Sequence, residues 1–569
     1  MERVLFAPRE LPPLRPDVSE DPRPYDAWVR GRAPSEPSRS RAEHGPTLRL
    51  VMVAAGATEE SLVRTLESLD AQRDARWALT IVAPEPAARA YGRLAASTRR
   101  RARRVDTITA PIGTSLGALL RLGLPTDVGA IVALLFPGDV WAPQAVALLR
   151  AALRAHDVAY ADEDRVDRDG RHVDPVLKPA YSPEFLLTAA YVGRPLAFRA
   201  DLVGQADFVA TDLAELEHEC ALRACEAAGA VGHVPEVLCH WTGEPRTPPR
   251  HVEHVRAALR AGGDSSDVRP GQAPGTFEIL RTAPRRTAVS VVVPFRDEPR
   301  FLRTCVDSVQ ATAGDADLEL LLVDNGSCQP ETATLLDELS ARPGIRVITD
   351  PRPFNWAELN NVAARQARGE VLLFLNNDIE ALRAGWLDAL CAQALRPEVG
   401  VVGARLLYPD QRLQHCGVVV GLTGAAGHPL VGLAPSAEGY LHMATVGREC
   451  AAVTGACLAS RREVFERLGG FDETLGVDLN DVDYCLRAWQ EGSRVVYEPR
   501  AELIHYESPS RGTAGGVGDI INFLDRWSEY IDARDPYLNP HLTREDPSCA
   551  LVSPGEREAW SRWHSTLST

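Results

Sequence analysis

The feature that most limits what this chain can become is an alternation of short apolar runs with amphipathic stretches, and it occurs twice. In the second half, residues 289–293, 318–323, 346–349 and 371–375 have the length and β-branched or apolar content of strands. Between and after them, residues 300–311, 331–342, 357–368 and 385–395 carry helical spacing. In the first half, strands are expected at 48–54, 79–83 and 130–136, with helices at 61–72 and 143–155. Leu62, Leu66 and Leu69 line one face of the first of these helices. Strands that alternate with helices predict an α/β fold with helices on the faces of a sheet. The halves also share residues: 64–69 (Arg-Thr-Leu-Glu-Ser-Leu) answers 303–309 (Arg-Thr-Cys-Val-Asp-Ser-Val), and 131–143 answers 372–385. Each half later sets an arginine, Arg223 or Arg487, in an acidic, alanine-rich stretch. These matches predict an internal duplication of a domain of roughly 200 residues. The expected division is an irregular extension (1–46), a first domain (47–243), a Pro-, Gly- and Ser-rich linker (244–286), a second domain (287–515) and a helical tail (516–569).

The run 371–375 is the clearest single strand. It is apolar at every position, as a strand buried on both faces must be. It stops at Asn376, Asn377 and Asp378. Open α/β sheets bind ligands at the carboxyl edge of their strands. One carboxylate beside substrate phosphates is a common way to hold Mg²⁺ or Mn²⁺. Three further polar clusters follow apolar runs: Pro294 to Asp297, Asp324 with Asn325, and a late segment with Asp481 and Asp483. Asp481 falls at or near a helix start, where an N-cap is the ordinary role for Asp. His505 follows a strand expected at 494–497.

The halves differ at these positions. Where the second has Asp324-Asn325-Gly326, the first has Ala83-Pro84-Glu85, and Asn480-Asp481-Val482-Asp483 is answered by Glu217-His218-Glu219. Chemistry is therefore expected in the second half, with scaffolding or acceptor binding in the first. The acidic residues Asp162, Glu163, Asp164, Asp167 and Asp169 are expected in a solvated hairpin, since they lack the spacing of a calcium loop.

Composition narrows the classes. No run reaches the ~18–20 apolar residues of a membrane span, and residues 1–20 show no signal-peptide core. The 11 cysteines are scattered, without C-x-x-C pairs, which predicts reduced thiols and a cytoplasmic chain. A net charge of -16 disfavours nucleic acid as a partner. The arginine-rich stretch 99–104 is expected as a solvated helix face, and any membrane contact as peripheral.

Taken together, these clusters resemble the family 2 inverting glycosyltransferases of the GT-A fold, of the O-antigen and rhamnosyltransferase type. The resemblance spans about 287–545 and rests on Phe354-Asn355-Trp356-Ala357-Glu358-Leu359-Asn360-Asn361, Gln414-His415-Cys416-Gly417, Val453-Thr454-Gly455-Ala456-Cys457, the Asp481 segment and His505 to Gly512. The first half resembles the degenerate leading domain of tandem members. The resemblance implies two GT-A-like, Rossmann-related mixed-sheet domains, the second catalytic. It implies a nucleotide-diphosphate sugar as donor and a saccharide or lipid-linked saccharide as acceptor. Asp378 would ligate Mg²⁺ or Mn²⁺, with Asn376 and Asn377 at the first two positions of the D-x-D motif and His505 completing the site. Arg511 would reach the phosphates. Asp481 would be the catalytic base and Asp483 its supporting carboxylate. Pro294, Asp297, Asp324, Asn325 and Asn361 would frame the nucleotide. A sugar-phosphate nucleotidyltransferase or a dinucleotide dehydrogenase would need a glycine-rich phosphate loop after residue 293, and Pro294-Phe295-Arg296-Asp297 is not one. A non-catalytic binding module is the remaining alternative.

Overall fold

The twofold alternation folds into two sheets of the same plan. A computed structural model of the chain describes residues 23–32, 45–85, 87–97, 105–203, 206–242, 246–507 and 517–553. The chain divides into two units, one built around Pro13–Ile279 with Asn539–His541, the other around Leu280–Leu538 with the segment from Leu542.

The first unit holds β1 (Leu48–Val53), β2 (Trp77–Pro84), β3 (Val105–Ala110), β4 (Ile131–Leu135), β5 (Asp139–Trp141), β6 (Val158–Val166), β7 (His172–Val176), β8 (Leu196–Arg199) and β9 (Val231–Thr242). They form one sheet in the order β3-β2-β1-β4-β8-β6-β9-β5, with β7 beside β6. A separate ribbon pairs β10 (Asp267–Pro270) with β11 (Phe277–Leu280). The second unit holds β12 (Ala288–Phe295), β13 (Asp317–Asp324), β14 (Ile345–Thr349), β15 (Val371–Leu375), β16 (Ile379–Ala381), β17 (Val399–Leu407) and β18 (Leu413–His415). Later come the pair β19 (Val419–Val420) and β20 (Ala426–Gly427), then β21 (Arg448–Glu449), β22 (Cys457–Arg461) and β23 (Arg494–His505). Its main sheet runs β14-β13-β12-β15-β22-β17-β23-β16. In both sheets the first four strands are parallel. In both, the fifth is antiparallel to the fourth.

The chain runs outward from β12 through β13 to β14, then returns to lay β15 on the other side of β12. That reversal opens a crevice at the carboxyl ends of β12 and β15, where open α/β sheets bind ligands. β15 is buried at all five positions. Helices cover both faces of such a sheet, which is why no alternation of polar and apolar residues is visible in it. The cluster around it includes Val291, Leu322, Leu373, Leu390 and Leu503, each fully buried or nearly so.

Several expectations shift. The first half contains a helix at Ala87–Ser97, the strand β3 and a helix at Leu116–Gly123, none of them foreseen. β3 is an edge strand buried fully only at Ala110, so its sequence carries little apolar signal. Residues 244–286, expected as a linker, contain the helix Glu253–Ala261 and the β10–β11 ribbon. The acidic stretch 160–174 is a hairpin whose tip is solvated, Asp169 being exposed, but Asp162, Glu163 and Asp164 within β6 are at most 1% exposed. They are neutralised internally, as buried charges must be. β23 continues to His505 rather than ending at 497. The arginines at 99–104 lie outside the described residues. All 11 cysteines are unpaired. Among the described residues no helix is long and apolar enough to cross a membrane.

Candidate active site

Backbone pairing at the sheet edge sets Asp378 beside His505. Ile379 pairs with His505 across β16 and β23, and the Tyr506 N–H donates to the Asp378 carbonyl at 3.0 Å. The Asp378 Oδ1 and His505 Nε2 atoms stand 3.2 Å apart, both side chains largely buried. On the other side of the ring, His505 Nδ1 meets Gln414 Oε1 at 2.7 Å. An amide oxygen only accepts, so Nδ1 carries the proton and Nε2 of the neutral ring is an acceptor. Two acceptors then face each other at 3.2 Å. A proton or a metal cation between them satisfies that arrangement, and Asn376 Nδ2 lies 3.4 Å from Nε2.

Two more imidazoles abut the site without adding charge. His415 sits next to Gln414 on β18, and its Nδ1 lies 2.8 Å from His428 Nδ1. Burial holds His415 well below the usual imidazole range, with His428, Arg448 and His505 adding to the effect. Burial likewise pushes His428 down to about 4. Both are neutral at pH 7, so neither repels a dication.

The second carboxylate comes from the start of the helix Asn480–Gln490. Leu479 takes the N-cap position with φ 64°, so Asp481 is not the N-cap. A bulky residue held in the left-handed region is strained backbone, of the kind found at functional sites. Asp481 Oδ2 accepts from the Gly455 N–H at 2.6 Å, and its Oδ1 accepts from the Val482 N–H at 2.8 Å. The same loop reaches the metal side, because the Asn376 N–H donates to the Ala456 carbonyl at 3.0 Å. Trp356 closes the group: its Nε1 donates to Asn376 Oδ1 at 3.4 Å, and its ring lies where a side chain on Gly455 would be. Asp378, Asn376, His505 and Asp481 thus join one connected group at one edge of the sheet.

Asp483 points elsewhere. Two residues along a helix turn a side chain by about 200°. The Asp483 carboxylate is fully buried and accepts from Arg487 at 2.8 Å, Arg526 at 2.6 Å and Trp527 at 3.0 Å. Its contacts tie the helix to Val517–Ala533.

The residues expected around a nucleotide are brought to the ends of β12 and β13, and several are engaged by the fold itself. Pro294 is buried within β12, opposite Val323. Asp297 has φ 54° and accepts through Oδ1 from the Cys328 and Gln329 N–H groups at 2.9 and 2.8 Å, clamping the two loops together. Asp324 Oδ1 accepts from the Ser327 N–H at 2.8 Å. Asn325 donates to the carbonyls of Asp350 and Arg352, each at 2.8 Å. Asn361 spans from its helix to the loop before the Asp481 helix, accepting from the Phe471 N–H and donating to the Phe471 carbonyl, both at 2.9 Å. Asn377 stands half-buried in the turn between β15 and β16. Arg511 lies outside the described residues. Gln414, Trp356 and Gly455 are the participants that residue chemistry alone does not single out. Each acts through a contact with a residue distant in the chain.

The first unit holds a different arrangement at the corresponding edge. Val140 pairs with His240 as Ile379 pairs with His505, so Asp139 stands at the position of Asp378. Arg194 donates to Asp139 at 2.8 Å and to Glu217, the residue answering Asp481, at 2.5 Å. Its guanidinium lies 3.8 Å from the Phe136 ring centroid. Arg246 donates to Glu217 at 3.0 Å. Fixed guanidinium groups here neutralise the carboxylates that a bound cation would need.

Comparison with known proteins bears on the second unit most directly. The family model for "Glycosyl transferase family 2" matches residues 290–469. The chain is 35% identical to "O-antigen biosynthesis protein RfbC" of Myxococcus xanthus, over 96% of this chain and 44% of that protein. It is 31% identical to an uncharacterized protein of Sinorhizobium fredii, over 93% of this chain and 62% of that protein. The chain therefore spans about half the length of these two relatives. An N-acetylglucosaminyl-diphospho-decaprenol L-rhamnosyltransferase of Mycobacterium tuberculosis is 26% identical over 39% of this chain and 76% of its own. Among solved structures, GalNAc-T7 with UDP, GalNAc and Mn²⁺ superposes with a TM-score of 0.36 at 18% identity, over 51% of this chain and 57% of that one.

Proposed function

From the family 2 glycosyl transferase domain carried at residues 290–469, we propose that this chain is an inverting, metal-dependent glycosyltransferase. It moves a sugar from a nucleotide-diphosphate donor to a hydroxyl of a saccharide or lipid-linked saccharide, in cell-surface polysaccharide synthesis. The observation that carries the reading is the pairing of Asp378 Oδ1 with His505 Nε2 at 3.2 Å, with Gln414 holding the proton on the far ring nitrogen. A carboxylate and a neutral imidazole suit Mg²⁺ less well than Mn²⁺, whose chemistry accepts nitrogen. Such a cation neutralises charge on a departing nucleoside diphosphate.

The chain's own groups account for the rest. Asp481 is half-buried and takes the proton of the attacking hydroxyl as general base. The Gly455 and Val482 N–H groups hold its carboxylate in one orientation. Asp483 positions the helix that carries it. Asp297, Asn325 and Asn361 shape the nucleotide side by fixing its loops, and Asp324 remains the candidate to accept from the base. One base without a carboxylate nucleophile favours single displacement with inversion. The relative named for O-antigen biosynthesis supports the polysaccharide setting. The rhamnosyltransferase relative supports a lipid-linked acceptor, met by peripheral contact with a membrane. We assign transfer to the second unit, and scaffolding or acceptor binding to the first, where Arg194 occupies the carboxylates.

The test is a panel of UDP- and dTDP-sugars read by release of the nucleoside diphosphate, with and without EDTA. Asp481→Asn is expected to lower turnover by about 10²–10⁴-fold while donor still binds. Asp378→Ala is expected to lose the Mn²⁺-dependent part of donor binding. Near-full turnover in the first variant, or donor affinity indifferent to Mn²⁺ in the wild type, overturns the assignment.

A further inference from the structure

The three buried acids of β6 are neutralised in different ways. Glu163 lies 3.1 Å from the Lys178 ammonium and is also paired with Arg246. Asp162 accepts from the Lys178 N–H at 2.8 Å, from Asn539 at 2.9 Å and from His233 Nε2 at 2.8 Å. Asp164, like Asp162, is met by imidazole rather than by a lysine or arginine side chain in its hydrogen bonds. Its Oδ2 meets His172 Nδ1 at 2.8 Å and the Tyr25 hydroxyl at 2.9 Å, and its Oδ1 meets His240 Nδ1 at 2.5 Å. The carboxylate is 0% exposed. A buried carboxylate needs a positive partner, and a cation held between it and the two imidazoles is one way to supply it.

The cluster has the composition and spacing to take one. The ligand atoms of Asp164, His172 and His240 all lie within 4.8 Å of one another. The two imidazole planes meet at 71°, so the rings converge on the carboxylate rather than stack. Each histidine side chain keeps some solvent contact, 17% and 14%, which gives an ion a way in and leaves a coordination position for water. The ligands come from three strands, β6, β7 and β9. Two imidazoles and one carboxylate form a borderline nitrogen and oxygen set that favours Zn²⁺ over the hard cations.

We propose that Asp164, His172 and His240 form a zinc-type divalent metal site in the first unit, which pins the β6–β7 hairpin to β9. The site is independent of the transfer reaction and of the Asp378–His505 pair. It supplies to Asp164 the positive charge that Lys178 and Arg246 supply to Glu163.

The experiment uses the full chain, with any affinity tag removed, stripped by chelator and then dialysed against Zn²⁺ without nucleotide. Mass-spectrometric metal analysis is expected to find about one equivalent retained, and the same in Asp378→Ala. The His172→Gln/His240→Gln variant is expected to lose it, and Zn²⁺ is expected to raise the Tm of the wild type only. X-ray absorption on the zinc-loaded wild type needs no variant to fold, and is expected to show two imidazole nitrogens at about 2.0–2.1 Å. No uptake by the stripped chain, a bound zinc without imidazole, or uptake unchanged in the double variant overturns the proposal. So does loss of uptake in Asp378→Ala.

Discussion

Gln414 shows how much one amide can decide. Its Oε1 contact with His505 Nδ1 selects the ring tautomer, and its Nε2 also reaches the His505 carbonyl at 3.4 Å. Residues that orient a ligating histidine in this way are worth 10–100-fold in metal affinity or activity. Gln414→Leu is therefore expected to weaken Mn²⁺-supported donor binding by about 10–100-fold, while Gln414→Glu, which keeps an accepting oxygen, restores most of it. Metal titrations followed by donor binding check this, and equal affinities in all three proteins refute it. At this scale the sequence was informative wherever a residue's chemistry speaks for itself. Asp378 could be nominated from its type and its position after an apolar run, whereas Asp481, His505 and the supporting part of Asp483 came from the family resemblance. Residue type alone does not separate Asp483 or Asn361 from them, because a carboxylate or an amide looks the same whether it faces a cleft or is saturated, as Asp483 is by Arg487, Arg526 and Trp527.

Among the elements, the segment carrying Gly455 couples the two halves of the site. A Cβ at this position would lie 2.8 Å from Trp356 Cη2 and 3.4 Å from Asp481 Cβ. Trp356 cannot swing aside, since its ring packs on Phe374 and Phe471 and its N–H bonds to Asn376. Gly455→Ala is expected to cost about 1–3 kcal/mol of stability, as overpacking does. It is also expected to reduce turnover beyond what that loss explains, because Asp481, the proposed base, shifts with its helix. Thermal unfolding and single-turnover rates measured on the same preparation separate the two effects. A variant with wild-type rates would show that the loop does not position Asp481. β15 was legible because burial on both faces demands an unbroken apolar run. β3 was not, because an edge strand buried mainly at one end has no such demand on its sequence. The acidic stretch of β6 misled for a related reason: three carboxylates in a row suggest solvent until their partners, which lie far along the chain, are known.

For the whole molecule, buried histidines set the response to acid. Burial holds His254, His428 and His541 down to about 4, and His218 down to about 3. Their folded values lie below the unfolded value of ~6.5. The stability they contribute is thus complete above that pH and is lost as pH falls toward 4. Asp535 works in the opposite sense. Burial pushes it up to about 6, so its contribution is present at low pH and lost as pH rises through 6. The histidines outnumber it, with His415 held low as well, so near pH 5 unfolding takes up protons and stability falls on acidification. Urea unfolding between pH 4.5 and 7 is expected to show the midpoint falling steadily on acidification. A midpoint that does not move would mean these rings are protonated within the folded chain.

The duplication itself was written in the sequence, since both halves repeat the same alternation and share short matched segments. Periodicity and apolar content act locally, so they determined that each half builds an α/β sheet; the order of the strands came only with the fold. Which sheet holds a site open, and which has it filled, depended on where Arg194 and His505 point, and a side chain's direction is decided by neighbours remote in the chain. Only the folded structure could place a guanidinium against Asp139 in one unit and an imidazole against Asp378 in the other.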